Sequence, residues 1–170
     1  LIMAGGYGRR LGNLTECTPK PLVNVNGKPM IEHVLGNIEK AGINKVFIST
    51  HYLAEQISDY FSSRENKLEI ELLGEDIPLG TAGALSLLPT DARNNHVLVT
   101  NCDVITDLDF TLMISSFSNS HPDVLMAVAK HQFEIPFGVV RFLKDQEFGG
   151  ILEKPSAFSY VAGGVNILAP

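Results

Sequence analysis

Two cysteines in 170 residues, Cys17 and Cys102, are too few and too far apart for a disulfide framework or a zinc site. Their scarcity predicts reduced thiols, which fits a cytoplasmic protein. No apolar run approaches the roughly 20 residues of a membrane span, so no membrane partner is expected. The start does not read as a signal peptide, because its apolar stretch is only a few residues long and lacks a basic lead. Basic charge is short as well. A net charge of −6 argues against broad nucleic-acid binding, which leaves a basic footprint on the protein. Internal repeats, low-complexity tracts and linkers are absent.

Two familiar phosphate loops are also missing. A Walker A loop needs Gly-Lys followed by Ser or Thr, and the pair Gly27-Lys28 runs into Pro29. The dinucleotide fingerprint needs a third glycine where Leu11 stands, three places after Gly8. No Ser-His-Asp or Cys-His set stands out either. The five histidines, at 33, 51, 96, 121 and 131, lie in a helix, beside strands or before a proline turn, and read as structural or solvated.

What is present is a globular chain with near-average apolar and charged content, long enough to bury a substantial core. It opens on an apolar run, Leu1 to Ala4, that breaks into Gly5-Gly6-Tyr7-Gly8 and then Arg9-Arg10. A buried strand leading into glycines brings backbone N–H groups up to a phosphate, and the arginines add the charge that a triphosphate needs. Residues 12–28 are polar and turn-rich and read as an extended active-site loop. Pro29 opens a helix whose apolar positions (Met30, Ile31, Val34, Leu35, Ile38 and Ala41) repeat at helical spacing until Gly42.

Strands are predicted at 45–50, 68–73, 96–100 and 124–129. Between them fall a helix marked by Leu53, Ile57, Tyr60 and Phe61, a short one over 80–88, and one striped by Phe110, Met113, Ile114 and Phe117. Residues 137–143, 149–153 and 161–168 read as strands without helices between them. This alternation predicts an α/β fold, a Rossmann-like three-layer α/β/α arrangement on a mainly parallel mixed sheet. In such sheets ligands sit beyond the carboxyl ends of the strands. Because the chain starts inside a strand-like run without Met and stops at Pro170 after another, it reads as one domain over 1–170 cut at both ends.

The blocks Gly5-Gly6-Tyr7-Gly8-Arg9-Arg10-Leu11, Pro19-Lys20-Pro21-Leu22 and Gly27-Lys28-Pro29-Met30, in that order, resemble the signature of the nucleoside-diphospho-sugar pyrophosphorylases, also called sugar-1-phosphate nucleotidyltransferases. Glu75-Asp76-Ile77-Pro78-Leu79-Gly80-Thr81-Ala82-Gly83, Asn101-Cys102-Asp103, Pro136-Phe137-Gly138-Val139-Val140 and Glu153-Lys154-Pro155 extend the resemblance over essentially the whole chain. In overall look it falls nearest the bacterial mannose-1-phosphate guanylyltransferase-like branch, with uridylyl and thymidylyl transfer left open.

The resemblance implies transfer of a nucleotidyl group from a nucleoside triphosphate to a sugar 1-phosphate. Arg10 and Lys20 would grip the triphosphate. Ala4, Gly5, Gly6, Gly8, Glu75 and Gly80 would hold the nucleotide. Asp103 would coordinate Mg²⁺, the expected cofactor, and Asn101, Gly138, Glu153, Lys154 and Gly164 would receive the sugar phosphate. Lys28 is open between a phosphate contact and a surface residue, and Arg9 is expected to face solvent.

There are two departures from the family pattern. Cys102 replaces a common glycine, which is tolerable if its backbone angle is ordinary. In Ala162-Gly163-Gly164-Val165-Asn166, Ala162 replaces a usual asparagine. A second metal-binding Asp would fall beyond residue 170. A homo-oligomer and CBS domains outside this stretch are compatible with the resemblance. So is a catalytically silent nucleotide-sugar-binding domain, although retention of Arg10, Lys20, Asp103 and Lys154 counts against that.

Overall fold

The computed structural model describes every residue except Arg64 and Asn66, and the side chains of Arg10 and Thr81 also lie outside the described set. The chain forms two compact units, Leu1–Met126 with Gly164–Pro170, and Ala127–Gly163.

The main sheet is made of β1 (Ile2–Met3), β4 (Lys45–Thr50), β5 (Glu69–Gly74), β6 (Val97–Asn101), β7 (Val124–Glu134) and β10 (Ser156–Leu168), of which the first unit holds β1, β4, β5, β6, the start of β7 and the end of β10. The strand order is β5-β4-β1-β6-β10-β7. β1 runs parallel to both neighbours, with Met3 opposite Ser49 of β4 and Asn101 of β6. β4 and β5 are parallel, while β10 is antiparallel to β6. The mainly parallel mixed α/β sheet expected from the alternation is therefore present.

β4 shows why. Its side chains point alternately to the two faces, yet Val46, Phe47, Ile48, Ser49 and Thr50 are all buried, so both faces are covered. On one face Phe47 joins Leu1, Ala84, Leu88 and Val99 in a core cluster. Helix α1 (Met30–Lys40) buries Met30, Ile31, Val34, Leu35 and Ile38, and it packs on α5 (Phe110–Ser120). Asp109 caps α5 by accepting from the backbone N–H groups of Thr111 and Leu112.

The loop over 12–28 is more ordered than its composition suggests. It contains 3₁₀ turns at Arg9–Thr15 and Lys20–Leu22, and a small hairpin of β2 (Asn24–Val25) and β3 (Lys28–Pro29). Helix α2 (Ala54–Ser62) starts one residue after Leu53, which adopts a left-handed φ of 51°. The helix over 80–88 divides into α3 (Gly80–Gly83) and a 3₁₀ turn, Ala84–Leu87, and α4 (Thr90–Arg93) follows.

The second unit is strand-rich, as expected. It carries the antiparallel pair β8 (Val139–Phe142) and β9 (Phe148–Leu152), together with parts of β7 and β10. β7 and β10 run well past the stretches at 124–129 and 161–168 that periodicity marked. Their extra residues, such as Lys130, His131 and Gln132, are exposed. A strand exposed in this way leaves no alternating apolar signal to read.

Candidate functional site

Parallel strands share one carboxyl edge, so the segments leaving β1, β4 and β6 emerge side by side. A cavity of about 900 Å³ lies at this edge, lined by the segments after β1, β5 and β6 and by Ser49 of β4. Gly5, Gly6 and Gly8 come to it from β1, Glu75 and Gly80 from the segment after β5, and Asn101 and Asp103 from the end of β6. Lys20 enters from its own turn between Pro19 and Pro21.

The glycine loop is held by close approaches. A Cβ on Gly5 would lie 2.9 Å from the Glu75 carboxylate. That carboxylate is not free to retreat, because Glu75 Oε2 accepts from the Leu79 backbone N–H at 3.0 Å. Gly8 has φ 66° and no room for a Cβ beside Thr15. The Thr15 hydroxyl in turn donates to the carbonyls of Gly8 and Gly12. Ala4 is buried beneath the loop, and its N–H bonds the Ser49 carbonyl. Gly80 adopts φ 76° at the cavity wall.

In the same cavity the Lys20 ammonium bonds the Asp103 carboxylate, and both side chains are partly exposed. Cys102 does not adopt a positive φ, so its backbone does not call for the glycine it replaces. Its thiol is pushed up to about 12, first by burial and then by the neighbouring Asp103 charge. Gly164, with φ 75°, leaves its missing Cβ position 2.9 Å from Val104 and 3.1 Å from Asn101, so it packs against the end of β6.

Within the second unit a Cβ on Gly138 would meet Glu153 Oε2 at 3.3 Å, and Glu153 and Lys154 are both exposed. Lys154 carries a left-handed φ of 43°, a strained conformation for a non-glycine residue. The Arg10 side chain lies outside the described residues. Arg9 is exposed, with its guanidinium 5.2 Å from the Tyr7 ring centroid, and Lys28 is exposed as well.

Ser49 and Tyr7 line the cavity, and His51 stands behind it, without having been given a functional role by the sequence. Ser49 lines the cavity, and its buried Oγ has no hydrogen-bond partner among the described residues. Tyr7 lines the cavity and reaches His51. Tyr7 arrives with the glycine motif it belongs to, whereas Ser49 comes there by strand adjacency, which has no local sequence signal. Two other histidines serve structure: His33 bonds the Val25 carbonyl and His96 packs edge-on to Phe117.

Among the described residues there is no group of three or more metal-ligating side chains. Asp103 nevertheless offers a hard, partly exposed carboxylate at the cavity wall, and Mg²⁺ is commonly held by one or two carboxylates with substrate phosphates completing its shell. The donor set fits a divalent ion carried in with a phosphate ligand.

A glycine loop, a lysine and an acidic residue at the carboxyl edge of a mainly parallel sheet are the arrangement by which α/β proteins commonly bind phosphate-bearing ligands. The whole chain, residues 1–170, matches the family model described as nucleotidyl transferase. The chain belongs to this nucleotidyl transferase family.

Relatives agree. Mannose-1-phosphate guanylyltransferase catalytic subunit beta of Drosophila pseudoobscura pseudoobscura is 35% identical over all of this chain and 47% of its own length. The subunit of the same name from Xenopus tropicalis is 34% identical over all of this chain and 49% of its own. The chain thus spans about half the length of these curated relatives. Among solved structures, HddC from Yersinia pseudotuberculosis complexed with GMP-PN superposes with a TM-score of 0.74 at 24% identity, covering 99% of this chain and 75% of that one. That last likeness shows the shared fold.

Proposed function

We propose that this protein transfers a nucleotidyl group from a nucleoside triphosphate to a sugar 1-phosphate, releasing pyrophosphate. The observation that carries this reading is the convergence of Gly5, Gly6, Gly8, Lys20, Glu75, Gly80 and Asp103 on one cavity. A phosphate oxygen of the sugar attacks the α-phosphorus, and the bond to the β-phosphate oxygen breaks. A phosphate monoester has a second pKa of about 6, so this nucleophile is already ionised near neutral pH and needs no protein base. No histidine lines the cavity among the described residues, in keeping with such chemistry.

The protein's task is then to position anions and neutralise their charge. The Gly5–Gly8 backbone cradles the triphosphate, Lys20 moves from Asp103 to a phosphate oxygen, and Arg10 clamps the leaving pyrophosphate. Glu75 and Gly80 face the base. Asp103 is the residue that would hold Mg²⁺, which supplies further charge neutralisation when bound. Asn101 and Gly164, and on the second unit Gly138, Glu153 and Lys154, are the proposed sugar and sugar-phosphate contacts. Residues 1–170 are read as one nucleotidyltransferase domain of a cytoplasmic enzyme, with oligomer formation and CBS domains compatible with that reading.

The names of the curated relatives favour GTP and mannose 1-phosphate as substrates. The test is pyrophosphate release from four triphosphates paired with glucose, mannose and N-acetylglucosamine 1-phosphates, with Mg²⁺ or EDTA. Turnover that EDTA abolishes is expected for at least one pair. If a full-length protein turns over none, the silent nucleotide-sugar-binding reading takes its place.

A further inference from the structure

His51 leaves the end of β4 and bridges two parts of the cavity wall. Its Nδ1 lies 2.7 Å from the Glu75 carbonyl oxygen, and its Nε2 lies 3.3 Å from the Tyr7 hydroxyl. A carbonyl can only accept, so the neutral ring carries its proton on Nδ1 and donates there. Nε2 is left as an acceptor, and the Tyr7 hydroxyl donates to it. The two rings also meet edge-on, with centroids 5.7 Å apart.

The residues that follow repeat the pattern. Tyr52 packs on Tyr7 with centroids 5.3 Å apart and donates its hydroxyl to the Glu16 carbonyl at 2.9 Å. Gln56, on the first turns of α2, donates to the Cys17 carbonyl at 3.1 Å. Between them Leu53 holds a left-handed φ of 51°, a conformation that persists only where surrounding contacts impose it.

We propose that His51 is a positioning residue: by joining Tyr7 to the Glu75 main chain, it sets the glycine loop and the Glu75–Gly80 segment in fixed relation before nucleotide arrives. This rests on the nucleotide-binding reading of the cavity. Preorganisation of this kind lowers the ordering cost of binding. The cavity therefore owes part of its nucleotide affinity to a residue that does not line it.

The test is a double-mutant cycle on the full chain. Tyr7→Phe removes the hydroxyl. His51→Asn keeps a donor near the place of Nδ1, toward the Glu75 carbonyl, and deletes Nε2. Both variants break the same Tyr7–His51 bond, and His51→Asn also deletes the edge-on ring contact, so each should weaken binding of a non-hydrolysable GTP analogue by about threefold to tenfold, and the double variant should bind no more weakly than His51→Asn alone. The KM for the triphosphate should rise by that factor, while kcat and the KM for the sugar phosphate hold. Amide exchange across residues 5–9 should quicken in each variant without nucleotide. Additive losses, or exchange unchanged from wild type, would overturn the proposal. A wild-type protein that binds no triphosphate would overturn the nucleotide reading instead, while the exchange comparison still decides whether His51 positions the loop.

Discussion

Lys20 and Asp103 stand 83 residues apart in the chain and are joined by an ion pair at the cavity wall. One brings a mobile cation and the other a hard carboxylate, and without a ligand each satisfies the other. Binding a triphosphate with its metal would exchange this pair for two others: lysine with phosphate oxygen, and carboxylate with cation. The protein thus keeps both charges compensated before the substrate arrives. An unpaired, partly desolvated charge would carry a penalty of its own.

That exchange predicts the effect of removing either member. Lys20→Met and Asp103→Asn should each lower kcat/KM by roughly a hundredfold or more, the scale of losing one preorganised electrostatic contact to developing charge. Circular dichroism should be unchanged, because the pair is partly exposed and lies outside the core. Near-wild-type rates in either variant would remove that residue from the mechanism.

Arg10 is assigned on its place in the glycine–arginine motif. Arg10→Ala should cost orders of magnitude in rate with the fold intact, whereas Arg9→Ala, at an exposed position, should cost little. Steady-state kinetics on both variants separates the two arginines. An Arg10→Ala enzyme as active as wild type would refute its role.

Gly8→Ala should damage the loop more than its size suggests. The new methyl would sit 2.8 Å from Thr15 Cγ2, in a backbone conformation with φ 66° that side chains disfavour. We expect a strain of about 1–3 kcal/mol, paid in part by displacing the loop. The triphosphate KM should rise clearly, which pyrophosphate-release kinetics would show.

The thiols should differ sharply in reactivity. Cys17 is exposed and Cys102 buried, with its pKa pushed up to about 12. Iodoacetamide at pH 8 should label Cys17 in the folded protein, and label Cys102 only after unfolding. The same shift gives a signed effect on stability. Below about pH 9 the Cys102 thiol is protonated in both folded and unfolded chains, and it contributes no pH dependence. From about 9 to 12 it ionises only when unfolded, so stability falls as pH rises through that window. Cys102→Ala should flatten this part of a Tm-against-pH curve.

In the core, Ile48 is completely buried on the strand between β1 and β5. Ile48→Ala should destabilise the fold by about 2–5 kcal/mol through lost burial and the cavity left behind. Urea unfolding measures it directly.

The sequence by itself determined the alternation of strands and helices through residue 129. It also carried the family motifs from Gly5 to Lys154, because periodic burial and glycine-rich turns are local properties of a chain. Helix α1 could be read almost to the residue, since its apolar stripe, preceding proline and trailing glycine all agree. The exposed extensions of β7 and β10 could not, because strands without a buried face carry no alternation. Tertiary structure alone decided which loops meet. Parallel pairing sets Met3 opposite both Ser49 and Asn101, so the segments after β1, β4 and β6 leave the sheet at the same edge. That register brings Tyr7 to His51 and helps bring Lys20 to Asp103, contacts between residues far apart in sequence that no local pattern encodes.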